Sequence, residues 1–169
     1  MAKRTDYINW DEYFMGVALL AARRSKDPNT QVGACIVNRD RRIISTGYNG
    51  FPRGLSDDEF PWERRAPGRA EADTKYPYVC HAELNAILNQ PGTSLVDCSI
   101  YVALFPCNEC AKAIIQSGIS EVVYLSDKYA EEEMTRVSKH MLNAAGVKCR
   151  RMVPQYNSLT LFFEDEQTE

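Results

Sequence analysis

The chain has 169 residues, 44% hydrophobic and 25% charged, which suits a single soluble domain, residues 1–169, with a core of its own. No apolar run reaches the length of about 18 residues that a membrane span needs, and no apolar stretch follows Met1-Ala2-Lys3-Arg4 to make a secretory leader, so a cytoplasmic location is expected with no membrane partner. A net charge of −3 argues against a nucleic-acid backbone as partner, but it leaves room for a local basic pocket that holds one phosphate.

Asn9, followed by Glu12 three residues on, reads as a helix start of the capping-box kind. Tyr13, Phe14, Val17, Leu20 and Ala21 then recur at helical spacing, which predicts a first helix to about Ser25. Asp27-Pro28-Asn29 ends it. Val32 to Val37 reads as a buried strand that holds Cys35 as a core residue. Asn38 to Arg41 reads as a turn, and Arg42 to Gly47 returns as the second arm of a hairpin. Residues 48–79 carry Gly50, Pro52, Gly54, Pro61, Pro67, Gly68 and Pro77, a long irregular stretch of the functional kind. Its Phe60, Trp62, Tyr76 and Tyr78 are too apolar for disorder and predict a partly folded lid.

From residue 81 helices and strands alternate: helix 81–89, strand 100–104, helix 107–117, strand 121–125, helix 131–145 and strand 147–152. Gly118 and Gly146 stand where left-handed C-terminal caps belong. The alternation implies βαβ units, a parallel portion of sheet with helices on both faces, and an antiparallel edge from the first hairpin. Leu159 to Phe163 reads as one more strand or a docked tail.

Two fragments carry chemistry, His81-Ala82-Glu83 and Pro106-Cys107-Asn108-Glu109-Cys110, and each opens a predicted helix. In a first helical turn the sulfurs of Cys107 and Cys110 can face one metal, and a helix N-terminus favours the thiolates that zinc binds. His81 supplies a third ligand. Three protein ligands leave the fourth position to water, the pattern of a catalytic rather than a structural site. Expelling ammonia requires a proton shuttle, and Glu83, beside the ligand His81, is placed for it. A C-x-x-C pair alone would be read as a structural zinc site or a redox pair, and a lone Glu83 as a solvated helix residue. The joint pattern H-x-E…P-C-x-x-C is the known signature of zinc-dependent base deaminases. His140, mid-helix, is expected at the surface or half-buried.

Over nearly its whole length the sequence closely resembles the deoxycytidylate (dCMP) deaminase family of the cytidine/deoxycytidylate deaminase superfamily. Beyond the zinc fragments, the resemblance lies in Ser25-Lys26-Asp27-Pro28-Asn29-Thr30-Gln31-Val32-Gly33-Ala34, Gly47-Tyr48-Asn49-Gly50, Lys75-Tyr76-Pro77-Tyr78-Val79-Cys80 and Ser126-Asp127-Lys128-Tyr129. It implies a cytidine-deaminase-like three-layer α/β/α sandwich with a mixed five-stranded sheet. It implies conversion of dCMP to dUMP and ammonia for thymidylate synthesis, one catalytic zinc per subunit, and a homohexamer. It further implies activation by dCTP with magnesium and inhibition by dTTP. By the same resemblance Asn49 contacts the sugar, while Asn29, Lys128 and Tyr129, with Ser25 and Lys26 adjacent, lie near the phosphate. Some relatives carry arginine at those phosphate positions, so the departure leaves the contacts open. Ala82 is expected to shape the base pocket through its backbone, and Gly50 and Phe51 to belong to an effector site. The alternatives are a deaminase of another cytosine nucleotide or of a base in single-stranded nucleic acid, and a non-catalytic zinc module.

Overall fold

The computed structural model describes residues 1–163. Its elements, in chain order, are α1 (Trp10–Ala22), β1 (Gly33–Val37), β2 (Ile43–Tyr48), α2 (Ala82–Leu88), β3 (Ser99–Leu104), α3 (Asn108–Gln116), β4 (Glu121–Ser126), α4 (Glu133–Ala144) and β5 (Lys148–Arg151). The strands form one sheet in the order β2-β1-β3-β4-β5. β1 runs antiparallel to both β2 and β3, while β3, β4 and β5 are parallel, so the mixed five-stranded sheet implied by the resemblance is present.

Side-chain alternation divides the core into two halves. Ala34, Ile36, Ile100, Val102 and Val122 point to one face and pack with Ala82, Ala86, Ala111, Ile114 and Leu142 of α2, α3 and α4. Cys35, Val37, Tyr101 and Val123 point to the other and meet Phe14, Met15 and Ala18 of α1. The result is three layers, with α1 alone on one side. Burial lifts the Cys35 thiol up to about 12, as suits a core cysteine.

Two glycines set how closely the layers approach. A Cβ on Gly33 would stand 1.8 Å from the Ala18 carbonyl oxygen of α1, and one on Gly47 would stand 2.3 Å from the Ala82 carbonyl oxygen of α2. α2 carries the H-x-E fragment, so Gly47 decides where that fragment sits over the sheet.

The Asn9 capping box is present: its side chain accepts from the Glu12 N–H, and the Glu12 carboxylate accepts from the Asn9 N–H. α1 stops at Ala22, three residues before the predicted end, because the Ser25 hydroxyl turns to the Asn49 carbonyl, 2.8 Å away, and starts the loop early. Gly118 and Gly146 take positive φ, 80° and 75°, as their capping positions require. His140 is exposed.

Leu159 to Phe163 is not a strand. The segment joins no sheet and leaves Leu161, Phe162 and Phe163 exposed; the chain turns from β5 toward α1, where Leu159 lies beside Gly16, closer to the docked tail that is the other expectation. There the Glu12 carboxylate accepts the Gln155 and Tyr156 N–H groups at 2.7 and 3.1 Å. Among the described residues no helix is long and apolar enough to cross a membrane.

Candidate active site

α2 and α3 begin at the same end of the molecule, and the first residue before each is a metal-ligand candidate. His81 is the N-cap of α2 and Cys107 the N-cap of α3, both with extended backbone rather than the helical conformation predicted from periodicity. An N-cap side chain ordinarily folds back to bond the free N–H groups of its helix. Neither of these does so. Instead the Cys107 Sγ lies 3.4 Å, and the Cys110 Sγ 3.5 Å, from the His81 Nδ1.

All three donor atoms lie within 4.8 Å of one another, and no other such ligand group occurs among the described residues. Cys110 stands one helical turn into α3 and is buried, which fixes the cluster to the frame. The donor chemistry fits zinc. A hydrogen bond from Cys110 and the nearby His81 hold the Cys107 thiol down to about 4 against the opposing effect of burial. The hydrogen bond to Cys107 lifts His81 up to about 9. The hydrogen bond between Cys110 and Cys107, with burial, pushes the Cys110 thiol far upward. A second thiolate is thus resisted beside the first, and a dication is what relieves that repulsion. One imidazole and two sulfurs at one point match the preference of zinc for nitrogen and sulfur ligands.

Glu83 is in the first turn of α2 and only 5% exposed. Burial pushes its carboxyl above the ordinary range, although His81 pulls the other way. A buried carboxyl beside the ligand cluster suits the holding and release of a proton. Ala82, between the two, is fully buried and packs in the core on α2.

The residues expected around sugar and phosphate fall into two groups. Ser25, Asn29 and Asn49 are joined into one hydrogen-bonded cluster by Asp27. Ser25 bonds the Asn49 carbonyl, and the Asn29 Nδ2 donates to the Trp62 carbonyl at 3.3 Å. The buried Asn49 side chain ties Val32 to Thr30. Lys26 faces outward and pairs with Asp57. Lys128 is exposed, with its ammonium 4.9 Å from the centre of the Tyr129 ring, at the end of β4 beyond the parallel strands.

The long loop is partly folded, as its aromatic content predicts. Phe51 packs on Trp62 with ring centres 4.2 Å apart, and Phe60 meets both Phe51 and Tyr78. Gly50 exchanges two backbone hydrogen bonds with Cys80, the residue before His81. A cleft of about 1070 Å³ opens within this loop, but Asp57, Asp58, Glu59, Glu63 and Asp73 line it. Arg69 is the one basic residue among its lining side chains.

Asp27 and Lys75 were not singled out by sequence reasoning, yet they form an ion pair with side chains only 1% and 9% exposed. Both lie in the stretches that carry the family resemblance. Their pairing across 48 residues has no local signature.

Comparison with known proteins agrees with this geometry. Residues 8–126 match the model of the cytidine and deoxycytidylate deaminase zinc-binding region. Human deoxycytidylate deaminase is 56% identical over 162 residues, covering 96% of this chain and 90% of the human one. A probable deoxycytidylate deaminase of Drosophila melanogaster is 56% identical over 165 residues, covering 96% of this chain and 81% of the fly protein. Among solved structures, the dCMP deaminase of cyanophage S-TIM5 in complex with dCMP and dUMP is 26% identical with a TM-score of 0.66, over 83% of this chain and 95% of the phage one. The chain belongs to the cytidine and deoxycytidylate deaminase family, whose members are zinc-binding hydrolases.

Proposed function

We propose that the chain, acting as a single deaminase domain, hydrolyses dCMP to dUMP and ammonia and so supplies precursor for thymidylate synthesis. The observation that carries this reading is the His81–Cys107–Cys110 cluster beside a buried Glu83, in a chain 56% identical to human deoxycytidylate deaminase across 96% of its length. The phage relative that shares the fold binds both dCMP and dUMP.

His81, Cys107 and Cys110 would hold the zinc. Zinc bound there supplies Lewis acidity and an activated water at neutral pH. Glu83 takes a proton from the attacking water and delivers it to the ring nitrogen N3. It then passes the second water proton to the leaving amino group, so that water adds at C4 and ammonia departs. The raised affinity of Glu83 for a proton fits a group that must both accept and return one. Ala82 presents backbone to the base, Asn49 contacts the sugar, and Asn29, Lys128 and Tyr129, with Ser25 and Lys26 beside them, face the phosphate.

Regulation belongs to the same reading. dCTP with magnesium activates, dTTP inhibits, and the working form is a cytoplasmic homohexamer. Gly50 and Phe51 take part in the effector site. Its line to the catalytic centre is supported by the Gly50–Cys80 backbone pair, one residue from His81.

The deciding measurement is turnover of dCMP, deoxycytidine, dCTP and a cytosine-containing oligonucleotide by the purified chain, with metal content determined alongside. dCMP is expected to be preferred, with a sigmoidal rate curve that dCTP makes hyperbolic. Preference for the oligonucleotide would sink the substrate assignment. A hyperbolic curve indifferent to dCTP would sink the regulatory one.

A further inference from the structure

A phosphate monoester carries about −1.5 to −2 charges at neutral pH, so a site that takes one needs cations that nothing else has neutralised. Most basic side chains near Asn29 and Tyr129 are already spent. Lys26 pairs with Asp57, Lys75 with the buried Asp27, Arg65 with Glu71 and Lys139 with Asp127. Arg64 and Lys128 are not. Both are exposed, and among the described residues neither forms an ion pair.

Arg64 is held where two loops meet. Just before it, the Trp62 carbonyl accepts the Asn29 Nδ2 at 3.3 Å, and the Glu63 carbonyl accepts the Lys75 N–H at 3.0 Å. The Trp62 ring is fixed in turn, since its indole N–H donates to the Asp57 carbonyl at 2.9 Å and its face packs on Phe51. The backbone leading into Arg64 is therefore tied to the turn after α1 on one side and to Lys75 on the other. From there the Arg64 guanidinium turns toward the Tyr76 side chain, with Tyr129 and Asp27 within electrostatic reach. Lys128 comes to Tyr129 from the end of β4, with its ammonium 4.9 Å from the ring centre.

The adjacent arginine is different in kind. Arg65 lies over the face of Tyr76, 4.1 Å from its centre, and Glu71 neutralises it. Arg64 has only a neutral tyrosine to turn to, a partner readily exchanged for a phosphate oxygen, because a hydrogen bond between two charged groups is the stronger one. Lys128 offers a point charge, and the planar fork that grips two phosphate oxygens at once belongs to arginine.

We propose that Arg64, from the long loop, binds the 5′-phosphate of the substrate and closes on it together with Lys128. The inference rests on the dCMP reading above and gives the long loop a share in selecting a nucleotide over a nucleoside.

The test measures kcat and KM for dCMP and for deoxycytidine, with and without saturating dCTP, in wild type, Arg64→Gln, Arg64→Lys and Arg65→Gln. Inhibition constants of dUMP and deoxyuridine give the same comparison without turnover. Arg64→Gln is expected to raise KM for dCMP and the inhibition constant of dUMP roughly tenfold to a hundredfold, with kcat within about twofold of wild type. Deoxycytidine and deoxyuridine have no phosphate to lose, so their constants stay at wild-type values, as does Tm. Arg64→Lys regains part of the loss, since the charge returns without the fork. Arg65→Gln matches wild type on every ligand. Wild-type constants for dCMP and dUMP in Arg64→Gln overturn the proposal. So does an equal loss with and without the phosphate, the mark of a structural role. A change confined to the dCTP concentration that activates also overturns it, because Arg64 would then serve an effector phosphate. A wild type that does not favour dCMP over deoxycytidine overturns the substrate assignment itself, and the proposal with it.

Discussion

His81, Cys107 and Cys110 hang from the first turns of two helices, whereas Asn29, Asn49 and Lys75 hang from loops tied together by side-chain hydrogen bonds. Different physics holds the two groups. The helix starts are placed by the packing of α2 and α3 on the sheet, through Ala86, Ala111 and Ile114. The loops have no such frame, and a buried carboxylate takes its place. The difference teaches where each region should fail. Loss of the Glu83 carboxylate should cost chemistry and not fold, whereas loss of the buried Asp27–Lys75 pair should cost fold.

The largest effect is expected on the metal side. Glu83→Ala should lower kcat by roughly 10²–10⁴-fold, the usual range for a proton-transfer group, while zinc content stays at wild-type level by metal analysis and Tm does not fall. Unchanged turnover would remove Glu83 from the proton path. Stripping the metal with a chelator should abolish turnover and lower Tm, and added zinc should restore both. If activity survived complete removal, the cluster would not be the catalytic centre.

Next in size is the spacing between layers. Gly47→Ala places a methyl group against the backbone of α2, where the nearest atoms would be 2.3 Å away. A loss of about 3 kcal/mol in denaturant unfolding is expected, with activity falling because the H-x-E fragment is displaced. Wild-type stability in this variant would mean that the sheet and α2 can separate freely.

The loop side predicts acid sensitivity. Burial raises the affinity of Asp27 for a proton, but the hydrogen bonds from Lys75, Asn29 and Thr30 outweigh it and leave the carboxyl below its ordinary value of 3.8. Stability from this group is therefore present above the unfolded carboxylate pKa and is lost as the pH falls through the depressed native one. A plot of Tm against pH should drop below about pH 4, and Lys75→Met should move the drop to higher pH. A curve unchanged by Lys75→Met would show that the pair does not hold the loops.

The smallest effect sharpens the contrast within the long loop itself. Arg65 and Glu71 form an ion pair like that of Asp27 and Lys75, but their side chains are 63% and 53% exposed. Arg65→Ala should shift Tm by no more than about 2 °C. A shift as large as that of Lys75→Met would mean that burial is not what separates the two pairs.

Much of this was legible in the residues, and the misses share a cause. The five strands, the four helices and the capping glycines follow from periodicity and turn chemistry, which act over a few residues. Helix ends shifted where a distant partner intervened: Ser25 left the predicted helix for the Asn49 carbonyl. Of the two readings of Leu159 to Phe163, a strand or a docked tail, the strand did not form, because the Glu12 carboxylate captures Gln155 and Tyr156 and turns the chain toward α1. His81 and Cys107 were placed inside helices by spacing, and they stand just before them.

The sequence by itself determined the reaction class, because H-x-E and P-C-x-x-C set donor types at spacings that a helix start converts into a metal site. Local geometry suffices for that, since each fragment spans a single turn. Only the tertiary structure decided how the loops around Asn49 are held. Asp27 and Lys75 stand 48 residues apart, and nothing in a one-dimensional pattern says that they meet. Their pairing exists because packing brings two loops into one dry place, where a charge must find its opposite.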